Sequence, residues 1–452
     1  MDYVENFEFT NSAKRKLLIT IVVGIVLFAI GLLGISSDGA KSLFDPASGH
    51  GSHHASAIES SDLFVEHSEG HESSEHADSH HGFHWSKRIK AVLWHNNIYF
   101  IGISVIGIFF YAIQLVTWAG WSALLKRVML AIGSFVPVAG ILLIVFYVAF
   151  NHDLFHWTHS DLYDPNSEHY DSIIAGKSWY LGFVDVLVRS FIYVAGWFVF
   201  WFFLKKEAIL QDKTGDLLHH NRSINISGGF IVFFGVSSSM CAWDWIMSID
   251  THWFSTMFGW YVFASWFVAG LAVITLFTLE LKKYGYLQKV NENHIHDLGK
   301  FVFAFSIFWM YIWFAQFILY WYSNIPEEIV WFNERMFFNR GNYSSMFIIN
   351  LVINFLFPFF FLMTRDAKRQ QVWLKVACIV IIAGHWFDTY LMIMPGILKE
   401  HGGLNFGSLF IEGGIVLVYV GLFGFVTLRS LASIPLIAKN HPMLEESIHF
   451  HQ

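Results

Sequence analysis

Ten separate apolar stretches, each long enough to cross a lipid bilayer, occupy most of this chain. Crossing about 30 Å of hydrocarbon takes roughly 20 apolar residues as a helix. In lipid the backbone must satisfy its own hydrogen bonds, which makes such stretches helical. The runs predict spans at 17–35, 97–118, 128–150, 180–204, 227–249, 257–281, 299–321, 344–364, 373–394 and 409–428. Composition points the same way: 55% of the 452 residues are hydrophobic and only 14% are charged, against about a quarter charged in soluble domains. The expected fold is therefore all-α, a polytopic integral membrane protein. Much of the net charge of -7 sits in one acidic loop, and no basic tract marks a nucleic-acid partner.

Basic residues alternate between loops. One side carries Lys14, Arg15 and Lys16, then Lys126 and Arg127, Lys205 and Lys206, Lys282 and Lys283, and Arg365, Lys368 and Arg369. The loops at 151–179, 250–256 and 395–408 are nearly free of them. The positive-inside rule then predicts that both termini are cytoplasmic, in agreement with an even span count. Lys87, Arg88 and Lys90 depart from the pattern, but they follow a long loop, where the rule is weak. The first span lacks an A-x-A cleavage site and reads as a retained helix rather than a signal peptide.

The predicted outer loop at 36–96 is of low complexity. His50, His53, His54, His67, His71, His76, His80, His81 and His84 lie among Ser, Gly, Glu and Asp. Such a segment buries no core and is expected to be disordered and solvated. Its imidazoles can capture Zn²⁺ or Cu²⁺ loosely, although their spacing matches no defined metal site. The stretch His84 to Trp94 reads as an amphipathic helix on the outer surface.

Charged groups in hydrocarbon cost several kcal/mol, with estimates from about 3 upward, so they usually face a protein interior. Asp185, Asp244 and Asp388 fall inside predicted spans, and Glu412 opens the last one. At 1.5 Å per residue, Asp185 would lie about 8 Å below the surface. Gln316, Asn350 and Asn354 fall in the same outer half. Asp185 and Arg189 are spaced i, i+4, which allows an internal ion pair on one helix face. His385 and Asp388 are spaced i, i+3, which lets an imidazole relay a proton to a carboxylate. In each case the competing reading is structural: a lock between helices, or a histidine bonded to a carbonyl.

The densest local signal is Cys241-Ala-Trp-Asp-Trp-Ile-Met-Ser-Ile-Asp-Thr-His-Trp-Phe. Trp243 and Trp245 flank Asp244, with Asp250 and His252 at the mouth. A quinone headgroup wants flat aromatic walls and a group that accepts a proton, so Trp243, Trp245, Asp244 and His252 are the candidate quinone-binding residues. A faint repeat relates Trp243 to Met247 with Trp386 to Asp388 and the Leu391 to Met394 stretch, four spans apart. A cytochrome b-type heme needs paired histidines deep in facing spans, and only His385 reads as deep. Cys241 and Cys378 are too few for an iron–sulfur cluster and read as buried thiols. No bound metal is expected.

Several motifs resemble the polysulfide reductase membrane subunit (NrfD-like) family. Trp243 to Trp253 resembles its alternative complex III branch, as do Gly384-His385-Trp386-Phe387-Asp388-Thr389-Tyr390 and Met394-Pro395-Gly396. So do His156-Trp157, Asp164-Pro165-Asn166 and Ala175-Gly176-Lys177-Ser178. The resemblance covers roughly 90–452 and leaves the His-rich loop outside. It implies two four-helix bundles, at 97–249 and 250–394, with peripheral helices in 1–35 and 395–452. It implies a bacterial inner-membrane subunit of a quinol:cytochrome c (or cupredoxin) oxidoreductase complex, not catalytic alone. Its partners would be a homologous ten-helix quinol-oxidising subunit, an iron–sulfur subunit and c-type heme subunits. It would carry no covalent or metal cofactor of its own, with quinone or menaquinone as the bound small molecule. A proton route would run through Asp185, Arg189, Asp244, Asp250, His252, His385, Asp388 and Glu412. The alternatives are a secondary cation transporter, against which stand only two span prolines, Pro137 and Pro358, and a purely structural anchor for periplasmic electron-transfer subunits.

Overall fold

A computed structural model describes residues 5–43, 85–336, 343–399 and 406–451. Among these residues ten helices are long and apolar enough to cross a membrane. They are α1 (Asn11–Leu43), α2 (Trp85–Val116), α3 (Lys126–Leu154), α4 (Phe183–Thr214), α5 (Leu217–Trp245), α6 (Met257–Lys283), α7 (Glu292–Ser323), α8 (Ser344–Phe361), α9 (Gln371–Leu398) and α10 (Phe406–Leu431). The protein is an all-α polytopic membrane protein.

Local chemistry sets the helix ends. Gly215, in the left-handed region at φ 72°, terminates α4, and the next residue, Asp216, caps α5 by accepting from Leu218 N–H. A positive φ at a helix C-terminus suits glycine, which has no Cβ to clash. Asn291 and His294 form a reciprocal cap at the start of α7.

Helices α2 and α6 form the interior and are the two most buried spans. A helix that is apolar all round belongs where no face meets lipid or water. Packed on α2 are α3 and α5, and α4 joins α3 to α5, closing one four-helix group. The second group is α6 to α9: α6 packs on α7 and α9, and α8 lies against both of these. Contacts of α2 with α6 and α9, and of α5 with α6, join the groups.

Outside them, α1 packs along α10. A Cβ on Gly24 would lie 2.6 Å from the Gly414 carbonyl oxygen, and one on Gly414 would lie 2.6 Å from that of Gly24. This is the small-residue approach by which membrane helices pack without a hydrophobic driving force. Asn6 bridges Pro435, and Leu436 N–H donates to the Glu5 carbonyl at 2.8 Å. Both ends of the chain therefore lie at one face, here called the terminal face.

Three boundaries differ from the sequence reading. Trp85 to Trp94 is not a surface helix but the first turns of α2, with Arg88, Ala91, Val92 and Trp94 buried. The loop expected at 36–96 is shortened at both ends, since α1 continues to Leu43 and α2 starts at Trp85. The nine histidines between 50 and 84 lie outside the described residues. Finally, α9 runs through Pro395 to Leu398, so a third proline lies within a span.

Candidate functional site

Among the described residues two carboxylates are wholly buried, one in each four-helix group. Asp244 sits in the last turn of α5 with no exposure. Arg189 of α4 donates to it twice, Nε to Oδ2 at 2.9 Å and Nη2 to Oδ1 at 2.9 Å. Tyr193, one turn along α4, donates to Oδ2 at 3.1 Å. The guanidinium also donates to the Tyr180 carbonyl and lies 4.1 Å from the Tyr180 ring centroid. This is a complete fork-to-fork ion pair.

Arg189 does not pair with Asp185, as its i, i+4 spacing had suggested. Asp185 is exposed in the first turn of α4, because that helix begins at Phe183 rather than 180. An exposed carboxylate is hydrated without a partner, whereas Asp244 needs one.

Asp388, on α9, is equally buried but bound differently. Tyr261 of α6 donates to Oδ1 at 2.5 Å, Trp309 of α7 to Oδ2 at 2.9 Å, and Asn350 of α8 to Oδ1 at 2.9 Å. All three donors are neutral. The nearest basic group is His385, whose Nδ1 lies 3.8 Å from Oδ2 and 3.1 Å from the Ser265 hydroxyl. His385 Nε2 is buried with no protein partner among the described residues.

Asn354 donates to Asn350 Oδ1 at 2.6 Å and to the Gly384 carbonyl at 2.9 Å. It lies in a π-helical turn, Val352–Leu356, that interrupts α8. Such turns often mark functional positions. The approach of α8 to α9 depends on Gly384, where a Cβ would fall 2.3 Å from Asn354 Oδ1. Gln316 is also buried, and neither of its amide atoms has a partner among the described residues.

Two further buried ion pairs were missed or only half seen in the sequence. Glu412 of α10 accepts from Arg88 of α2 at 2.6 Å and from the Tyr390 hydroxyl at 3.1 Å. Arg335, which follows the short helix Pro326–Asn333, is 1% exposed; it donates to Asp250 at 2.9 Å and to the Leu391 carbonyl at 2.8 Å. Its guanidinium stacks 4.1 Å from the Trp331 ring. Nothing in the sequence flagged Arg335 beyond its aromatic neighbourhood. His95 proves to be deep in α2 rather than at an end, and its Nε2 lies 3.1 Å from the Trp386 carbonyl.

The residues suggested for a quinone pocket are spread over different surroundings. Trp245 is sealed in the core with Nε1 donating to Ser190 at 2.8 Å, and Trp243 is only half-buried. Asp244 is closed by Arg189, while His252 lies at the surface with Nε2 2.6 Å from Asp171. Burial pushes the Asp171 carboxyl up, but hydrogen bonds from Ile174 N–H and His252 outweigh this and hold it below its ordinary value.

His252 lines a cavity of about 570 Å³ at the face remote from the termini. The cavity lies where the two groups meet, among the end of α3, the turn after α5, the end of α9 and the residues near Trp331. His152, His156 and His159 open onto it, with ring centroids 5.3 Å apart for 152 and 159 and 5.8 Å for 156 and 159. Burial and the nearby His159, Lys399 and His252 hold His156 below the ordinary histidine range. Among the described residues no three His, Cys, Asp or Glu side chains converge as a metal site. Cys241 and Cys378 are free and buried.

Fold and site together define a ten-span membrane protein with two buried carboxylate centres, one closed by a guanidinium and one held by neutral donors. No family model matches the chain, and no curated protein matches it either.

Proposed function

We propose that this protein is a membrane subunit of a respiratory quinol:cytochrome c (or cupredoxin) oxidoreductase complex of the alternative complex III kind, and that it handles protons released by quinol oxidation. In this reading the termini are cytoplasmic, the remote face is periplasmic, and the membrane is the bacterial inner membrane. The motif resemblance around Asp244 and Asp388 supports membership of the complex. Quinol is the substrate, and electrons pass to iron–sulfur and c-type heme subunits rather than through this chain.

The observation that carries the proton role is the setting of Asp388. It is wholly buried, its three hydrogen-bond donors are neutral, and His385 waits 3.8 Å away. A carboxylate in a bidentate ion pair must break that pair to take a proton. One held by Tyr, Trp and Asn hydroxyl and N–H groups can take and pass a proton while its cage stays in place. The next acceptor is His385, itself bonded to Ser265, and buried polar atoms such as His385 Nε2 are places for bridging water. The scattered positions of Trp243, Trp245, Asp244 and His252 favour this proton role over a quinone pocket built from those four.

The test is Asp388→Asn in the intact complex, reconstituted in vesicles. We expect at least a tenfold fall in proton-coupled quinol:cytochrome c turnover, or loss of proton release with electron flow retained. Asp244→Asn should leave the proton stoichiometry unchanged. A purely structural anchor, supported by the sealed Arg88–Glu412 pair, predicts instead that both variants keep normal rate and stoichiometry wherever the complex assembles.

A further inference from the structure

The 570 Å³ cavity at the remote face holds charges that the proton role does not use. Three carboxylates line it, and each already has a cation. Asp153 is 2.6 Å from Lys90, Asp250 is 2.9 Å from Arg335, and Glu334 is 3.4 Å from the same arginine. Burial and the neighbouring Asp250 push the Glu334 carboxyl up, while Arg335 and Lys399 pull it down. Lys87 and Lys399 line the same cavity and have no ion-pair partner among the described residues. They come from different elements: Lys87 from the first turn of α2, and Lys399 from the residue that ends α9. Lys399 adopts φ 47° there, a left-handed conformation rare for a side chain of this size. Four imidazoles, those of His152, His156, His159 and His252, complete the polar wall.

We propose that this cavity is a binding site for a small oxyanion of the phosphate or carboxylate class, held between Lys87 and Lys399 with His156 and His159 as hydrogen-bond donors. Four cations, Lys87, Lys90, Arg335 and Lys399, surround the three lining carboxylates, and concave low-dielectric walls concentrate the field of the one cation in excess. Lysine binds such anions as a point charge, and an imidazole N–H adds a directed bond. The same two lysines disfavour a divalent cation, in keeping with the lack of a converged ligand set among the described residues. The volume admits a ligand larger than phosphate, so a dicarboxylate fits as well as an inorganic ion.

The test is calorimetric titration of the detergent-solubilised full-length protein with inorganic phosphate, and separately with succinate, at low ionic strength. We expect saturable binding of at least one of the two probes, weakened tenfold or more in Lys399→Met and in Lys87→Met. Lys206→Met, an exposed lysine of α4 that does not line the cavity, should change affinity less than threefold. The proposal is overturned if neither anion saturates the wild-type protein, if the Lys399 and Lys87 variants bind as the wild type does, or if all three lysine variants lose affinity equally. Saturable Zn²⁺ binding that abolishes anion binding and survives removal of residues 50–84 would also overturn it, in favour of a histidine metal site.

Discussion

Arg189 and Asp244 should be unequal partners, and the inequality can be measured. The arginine side chain is 18% exposed and the aspartate is 0% exposed. In Arg189→Met, Asp244 keeps the Tyr193 hydroxyl but loses its cation, and a buried charge is left uncompensated. Breaking a buried pair in this way costs about 3–5 kcal/mol. In Asp244→Asn, Arg189 keeps the Tyr180 carbonyl at 2.9 Å and the Tyr180 ring, and its partial exposure lets water take up the remaining charge. The expected cost is about 1–3 kcal/mol, that of an imperfectly replaced hydrogen-bond set. The double variant Arg189→Met/Asp244→Leu removes both charges and should recover most of the loss. The assay is reversible unfolding in mixed micelles, with all four proteins at one pH. Equal costs for the two single variants, or a double variant as unstable as the sum of both, would refute the reasoning.

Three further outcomes follow from the geometry. Gly384→Ala should displace Asn354, since the new methyl would meet its Oδ1 at 2.3 Å; the complex should assemble but show part of the Asp388→Asn defect in proton-coupled turnover, whereas unaltered turnover would detach Asn354 from that centre. His441 is buried beside Lys126, 2.8 Å away, and burial together with Lys126 pushes its pKa down to about 2. Below pH 6.5 the unfolded chain takes up a proton that the folded protein refuses, so stability falls as pH falls; between pH 7 and pH 5 the loss should be about 2 kcal/mol, and His441→Gln should flatten that slope in a thermal-unfolding series. Single cysteines at Ser12→Cys and Glu445→Cys should react with a membrane-impermeant thiol reagent from the same side of sealed vesicles, because the segments next to them are bridged at Asn6 and Pro435.

The spans were legible because each is a long apolar run, and no tertiary contact is needed to make such a run helical in lipid. The start of α2 was not legible. Lys87, Arg88 and Lys90 make its first turns look like surface, and what buries Arg88 is Glu412, 324 residues away. The site was half legible. Asp244, Asp388, His385, Asn350 and Asn354 are visible as polar groups in apolar sequence, and their burial follows from that. Their partners were not visible. Spacing offered Arg189 the nearby Asp185, and the choice of Asp244 is made by desolvation across two helices. Tyr261 and Trp309, which hold Asp388, look like two more aromatics in a chain with 17 Tyr and 19 Trp.

The difference between the two carboxylates comes down to one helix face. When the two four-helix groups are matched in chain order, α4 corresponds to α8 and α5 to α9. Helix α4 presents Arg189 and Tyr193 to Asp244, an i, i+4 pair. Helix α8 presents Asn350 and Asn354, also an i, i+4 pair, toward Asp388 and its helix. Where the first group has a guanidinium, the second has a carboxamide. The amide supplies one N–H to the carboxylate and no charge, so Asp388 gathers Tyr261 and Trp309 from two further helices to fill its remaining acceptor positions. Placing an arginine there, as Asn350→Arg, should therefore convert the second centre into a copy of the first. If proton handling depends on the missing charge, that variant should assemble, pair Asp388 and lose proton coupling; full coupling in an assembled Asn350→Arg complex would show that the neutral cage is not what matters.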